Sequence, residues 1–253
     1  MRRQVLLYLL GAIATFGAMS GATGAQTTGL PDLIVDSKSL SQNLTVRTES
    51  FTATQCDSVE DGITAGRHLI MRFTVSTPNI GDGPLVVGDP NAHIAANDGL
   101  FEYAPCHQHF HFRHYATYEL VDVNNPASVW RSAKRGFCMI DVQKYYAGPY
   151  KSAFNVCGAP GVPGNQGISV GWADIYDWQL QGQYFVLDGG DGQPIVPPGT
   201  YYLRITVNPK FLPAVGEPCP YADPQIGYCH QLPEKDFGNN TTQITVTVPA
   251  PKK

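Results

Sequence analysis

Short alternating or β-branched runs, each cut off by a cluster of Gly, Pro, Asn or Asp, recur along most of this chain, and that punctuation excludes most folds. LIMRFTV (69–75) closes on Pro78-Asn79-Ile80-Gly81-Asp82-Gly83-Pro84, and ATYELVDV (116–123) stops at Asn124-Asn125-Pro126. YFVLD (184–188) runs into Gly189-Gly190-Asp191-Gly192, while residues 201–207 and 242–248 are the clearest strands, rich in β-branched and aromatic residues at period two. Only residues 91–96 and 141–146 read as short helical turns, and neither sustains a 3.6-residue period. The expectation is a mainly β chain: one β-sandwich-like domain over residues 31–248, with short helical turns.

The two ends read differently. Arg2 and Arg3 precede an apolar run from Val5 to Met19, and Ala22-Thr23-Gly24-Ala25 offers small residues for cleavage, so residues 1–25 are expected to be a secretory signal. An uncleaved anchor is the alternative, although the run is shorter than the roughly 18–20 residues of a bilayer span. Residues 26–30 read as a linker and 249–253 as a polar tail. The reading is thus of an exported protein, secreted or periplasmic, with no membrane association after cleavage.

Six cysteines, Cys56, Cys106, Cys138, Cys157, Cys219 and Cys229, all follow that leader. An even number in an exported chain favours disulfides, and Cys219 and Cys229 are close enough for a local clip. No C-x-x-C occurs, which removes zinc knuckles and thioredoxin-like pairs. The formal charge of −4 and the lack of a basic run outside Lys252-Lys253 exclude a nucleic-acid groove.

Four of the seven histidines, His107, His109, His111 and His114, fall within eight residues. On an extended strand residues i, i+2 and i+4 share a face, so His107, His109 and His111 would point together, with Phe110 and neighbouring Phe112 packing into the core. Neighbouring imidazoles on that face stand roughly 6.5–7 Å apart, and the outer pair twice that, so a bend or bulge must gather all three. Three imidazoles suit copper or zinc, and ligand type alone does not choose.

Cys106-His107-Gln108-His109-Phe110-His111 closely resembles the copper-binding segment of lysyl oxidases, and Phe101-Glu102-Tyr103 precedes it as in that family. The resemblance continues in order through Pro31-Asp32-Leu33, Ala133-Lys134-Arg135-Gly136-Phe137-Cys138 and Gln166-Gly167-Ile168 with Gly171 to Tyr176. It resumes in Pro197-Pro198-Gly199 with Asn208-Pro209, and in Asp236-Phe237-Gly238-Asn239-Asn240. It implies copper on His107, His109 and His111, and a lysine tyrosylquinone built from Lys134 and Tyr176. It further implies oxidation of peptidyl lysine or other primary amines by dioxygen to aldehydes, with release of ammonia and hydrogen peroxide. Asp174 and His114 are the candidates for the catalytic base.

The resemblance also implies a Cys106–Cys157 bridge, leaving Cys56 and Cys138 to pair or stay free beside Cys219–Cys229. The chain departs from the family where Ala104-Pro105 and Thr117 replace histidines and Trp172 replaces a cysteine. Two other readings stand beside the oxidase. One is a copper-holding β-sandwich without the quinone; the other is a structural immunoglobulin-like module with an incidental histidine cluster.

Overall fold

The alternating runs pair as antiparallel strands in the computed structural model, which describes residues 29–250. The leader lies outside the described residues, as do all of the linker but Gly29 and Leu30 and all of the tail but Pro249 and Ala250. The strands in chain order are β1 (Thr45–Phe51), β2 (Gly66–Arg72), β3 (Val75–Pro78), β4 (Leu85–Gly88), β5 (Phe101–Ala104), β6 (His109–Phe112), β7 (Ala116–Asp122) and β8 (Val129–Arg131). They continue with β9 (Gln143–Lys144), β10 (Gln166–Ile168), β11 (Trp172–Tyr176), β12 (Tyr184–Val186), β13 (Gly199–Val207), β14 (Tyr221–Ala222), β15 (Cys229–His230) and β16 (Thr241–Val248). Three short helices, α1 (Ser37–Ser41), α2 (Cys56–Val59) and α3 (Pro90–Ala96), fill connections.

The longest sheet runs β16-β13-β7-β8, and its β13 shows why it forms. Tyr201, Leu203, Ile205 and Val207 are buried while Tyr202, Arg204 and Thr206 face outward, the period-two pattern of a half-buried strand. Further sheets run β1-β2-β12 and β3-β11-β9. Aromatic rings interlock between layers: Phe73 lies 5.5 Å from Tyr118 of β7 and 5.1 Å from Phe185 of β12, centroid to centroid. This is the sandwich-like packing expected, with no closed barrel.

Two local expectations change. Residues 141–146 are not a helical turn, because β9 pairs with β11 and the Asp141 carboxylate accepts from Ala153 N, Phe154 N, Ser169 N and Ser169 Oγ at 2.7–3.1 Å. Those long-range bonds pin the chain extended, overriding local preference. Residues 69–75 do not make one strand either. β2 ends at Arg72, and the chain passes through Phe73 and Thr74 into β3 of a different sheet.

The disulfides are Cys56–Cys106, Cys138–Cys157 and Cys219–Cys229. The clip is as expected, but the Cys106–Cys157 bridge is not formed. Gly167 N bonds Met139 O and Asp141 N bonds Phe154 O, so Cys138 and Cys157 come opposite one another, 5.5 Å apart at Cα. Cys106 is met instead by Cys56, from the turn between β1 and β2. Among the described residues no helix is long and apolar enough to cross a membrane.

Candidate active site

The histidine segment is not a flat strand. Cys106, His107 and Gln108 form a turn, Gln108 has a left-handed φ of 60°, and its N–H closes on Ala104 O at 2.7 Å. β6 begins only at His109 and pairs with β5, with Phe110 and Phe112 buried in the core. The bend folds His107 back over its neighbours, so the three ring centroids lie 4.8–6.0 Å from one another.

The ring nitrogens are unevenly engaged. His107 Nδ1 donates to Glu60 Oε2 at 2.5 Å, and His109 Nδ1 to the His107 carbonyl at 2.9 Å. His107 Nε2 is then buried with no partner. His109 Nε2 and His111 Nε2 stand 3.2 Å apart, close enough for an N–H···N bond. That separation also suits two metal bonds of roughly 2.0–2.1 Å meeting near the tetrahedral angle. Burial, foremost, holds His109 below the usual imidazole range and takes His111 down to about 3, aided by the Lys134 charge. Both shifts favour the neutral ring, the form that binds metals.

Among the described residues no group of three or more His, Cys, Asp or Glu side chains is arranged to hold a metal ion. His109 Nε2 and His111 Nε2 have the spacing, and His107 would have to bring its unpartnered buried Nε2 to the same point to make a third ligand. The donor set fits a metal that accepts imidazole, copper included.

The 134–138 segment runs beside this turn. Phe112 and Phe137 exchange backbone hydrogen bonds, and Gly136 lies so close to the His111 ring that any Cβ would overlap it. This is why a glycine is needed there. Lys134 Nζ consequently stands 5.4 Å from the Tyr176 ring centroid and 5.8 Å from that of Phe137. Burial pushes the Lys134 ammonium below the usual lysine range, opposed by the charges of Asp61, Asp174 and Asp57.

β11 supplies Asp174 and Tyr176 two residues apart, hence on one face. Tyr176 is buried and its hydroxyl donates to Cys138 O at 3.0 Å. Asp174 is 1% exposed, with Oδ2 unpartnered. Burial raises its carboxyl to about 8, against the lowering effects of the Tyr176 hydroxyl and the Lys134 charge. A carboxyl so placed can exchange a proton near neutral pH.

His107, His109, Lys134, Asp174 and Tyr176 all line one cavity of about 480 Å³. Its mouth is largely apolar, with Ile140, Val142, Ile175 and Leu180 beside Gln179 and Gln181. The rim loop is anchored from below: Arg72, bidentate on Glu49, donates to Trp178 O and Leu180 O, and Gly182 N bonds Asp57 Oδ1. His114 is not part of this group. It is exposed, among Arg113, Glu217 and Glu102, and lines none of the cavity, because the chain turns outward after β6.

The residues not singled out from sequence are the carboxylates of the turn at Cys56. Glu60 holds His107, and buried Asp61 is raised to about 6 by burial, against the charges of Lys134 and His107. The available signal was Cys56 itself, followed by Asp57, Glu60 and Asp61.

A bent three-histidine turn, a half-buried lysine over a tyrosine ring and a buried carboxyl thus share one corner of the β scaffold. The family model for lysyl oxidase matches residues 31–218, and the chain belongs to the lysyl oxidase family. It is 26% identical over 235 residues to protein-lysine 6-oxidase of Homo sapiens, an alignment covering 88% of this chain and 47% of that protein. Against the Sus scrofa protein of the same name it is 25% identical, covering 79% of the relative, and against lysyl oxidase homolog 1 of Homo sapiens 25%, covering 30%. The chain thus spans about half the length of the human protein-lysine 6-oxidase it matches.

Proposed function

We propose that this chain is an exported copper-dependent amine oxidase of lysyl oxidase type, converting a primary amine, dioxygen and water into an aldehyde, ammonia and hydrogen peroxide. Its substrate is a lysine side chain in a protein or another primary amine. The observation that carries this reading is the shared cavity lined by His107, His109, Lys134, Asp174 and Tyr176. His107, His109 and His111 would hold copper, which with dioxygen as the oxidant would supply the chemistry that joins Lys134 to the Tyr176 ring, and the quinone so formed would supply an electrophilic carbonyl for the amine.

The chain's own residues do the rest. The apolar residues Ile140, Val142, Ile175 and Leu180 take the aliphatic stem of an amine. Asp174, on the same face of β11 as Tyr176 and lining the same cavity, is the base that accepts the proton from the carbon next to the amine nitrogen. Lys134 needs no long excursion to meet the ring it faces, and its lowered affinity for protons favours the free amine that a cross-link requires. Three disulfides and the leader-like first 25 residues support export.

Peroxide release with a panel of primary amines tests the reading. The copper-loaded protein should release peroxide with at least one aliphatic amine, and Lys134→Arg should not. Equal turnover by wild type and Lys134→Arg would defeat the quinone, and failure of all amines would leave a metal-binding protein.

A further inference from the structure

Glu60 spends both carboxylate oxygens on the start of the histidine turn. Oε2 takes the His107 Nδ1–H at 2.5 Å, and Oε1 takes the Cys106 backbone N–H at 2.6 Å. One side chain therefore fixes both the ring and the backbone from which it hangs. The side chains of His107 and Glu60 are only 10% and 18% exposed, so bulk water competes weakly for this bond. The Cys56–Cys106 disulfide ties the turn carrying Glu60 to the residue before His107.

A neutral imidazole has one N–H and one lone pair, and an acceptor on Nδ1 forces the lone pair onto Nε2. That is the nitrogen of His107 found buried without a partner. His109 is fixed in the same sense by a backbone carbonyl, so two of the three rings are set in one tautomer before any ion arrives.

We infer that Glu60 is a positioning residue for the metal: it locks His107 as an Nε2 donor and so raises copper affinity. This rests on reading His107, His109 and His111 as the copper ligands. Carboxylates hydrogen-bonded to ligating histidines orient the ring and raise its basicity, and their loss typically costs about 10- to 100-fold in metal affinity.

The test measures copper(II) affinity by chelator competition for wild type, Glu60→Gln, Glu60→Asp, Glu60→Ala and His107→Ala. It is paired with imidazole ¹⁵N NMR of the metal-free proteins. Wild type should show His107 as the Nδ1–H tautomer, Glu60→Ala should lose that preference, and Glu60→Gln, with one acceptor oxygen for two donors, should keep it only in part. Copper affinity should fall about 10- to 100-fold in Glu60→Ala and by less in Glu60→Gln. If Glu60→Ala does not fold, Glu60→Asp carries the test, since the shorter side chain cannot serve both donors and should lose affinity. Folded variants that bind copper as tightly as wild type, with the His107 tautomer unchanged, would overturn the inference alone. A wild type that binds no copper, or binds it no better than His107→Ala, would overturn the ligand assignment and the inference together.

Discussion

Replacing Asp174 by Asn should stabilise the metal-free protein, and increasingly so as pH rises. Burial lifts the Asp174 carboxyl from 3.8 to about 8, so the fold prefers it protonated whereas the unfolded chain ionises it near pH 4. The stability this contributes is complete below about pH 4 and is lost progressively as pH rises through about 8. Each unit of pKa difference is worth about 1.4 kcal/mol, so at pH 7 the wild type has lost on the order of 4 kcal/mol relative to strongly acid solution. An Asn of nearly the same shape has no such loss. Titrating groups that do not feel Asp174 are common to both proteins and cancel in the difference, which leaves Lys134, whose ammonium loses the Asp174 charge in the variant. Urea unfolding of the disulfide-intact proteins at pH 5, 6, 7 and 8 should show the variant's advantage growing by up to about 1.4 kcal/mol per unit. The same variant should lose amine oxidation by about 10²- to 10⁴-fold, as expected for removal of a base. Stability curves that stay parallel from pH 5 to 8 would refute the burial argument.

Two further perturbations probe the scaffold around the histidines. Gly136→Ala places a methyl group into the His111 ring, and should cost about 1–3 kcal/mol in thermal or urea unfolding while weakening copper binding in chelator competition. The double variant Cys56→Ser, Cys106→Ser opens a loop of sequence separation 50, worth roughly 4 kcal/mol by chain entropy, and should lower copper affinity by freeing the Glu60 turn. Cys219→Ser, Cys229→Ser should leave copper affinity unchanged, since that clip closes far from the histidines in the chain.

Much of the fold was legible because it rests on local pattern. The period-two runs at 201–207 and 242–248 are the paired core strands β13 and β16, and residues 91–96 fall within α3. Where long-range bonds decide, the pattern misled: Asp141 is claimed by Ala153, Phe154 and Ser169, and no feature of residues 141–146 announces it. The site shows the same division. Period two puts Asp174 and Tyr176 on one face, and spacing demands a bend among the histidines, but not that Gln108 makes it with a left-handed backbone. Glu60 lies 47 residues before His107, so only the folded chain reveals their bond. His114 shows the limit of counting histidines, for three residues beyond His111 the chain has already turned to solvent.

The pairing of Lys134 with Tyr176 is the feature on which amine oxidation by this chain would turn. Purified protein should be loaded aerobically with copper, digested, and its peptides mapped by mass. The ordinary peptides containing Lys134 and Tyr176 should disappear together and be replaced by one cross-linked species with quinone absorbance. Both residues recovered in separate, unmodified peptides from fully copper-loaded protein would contradict it.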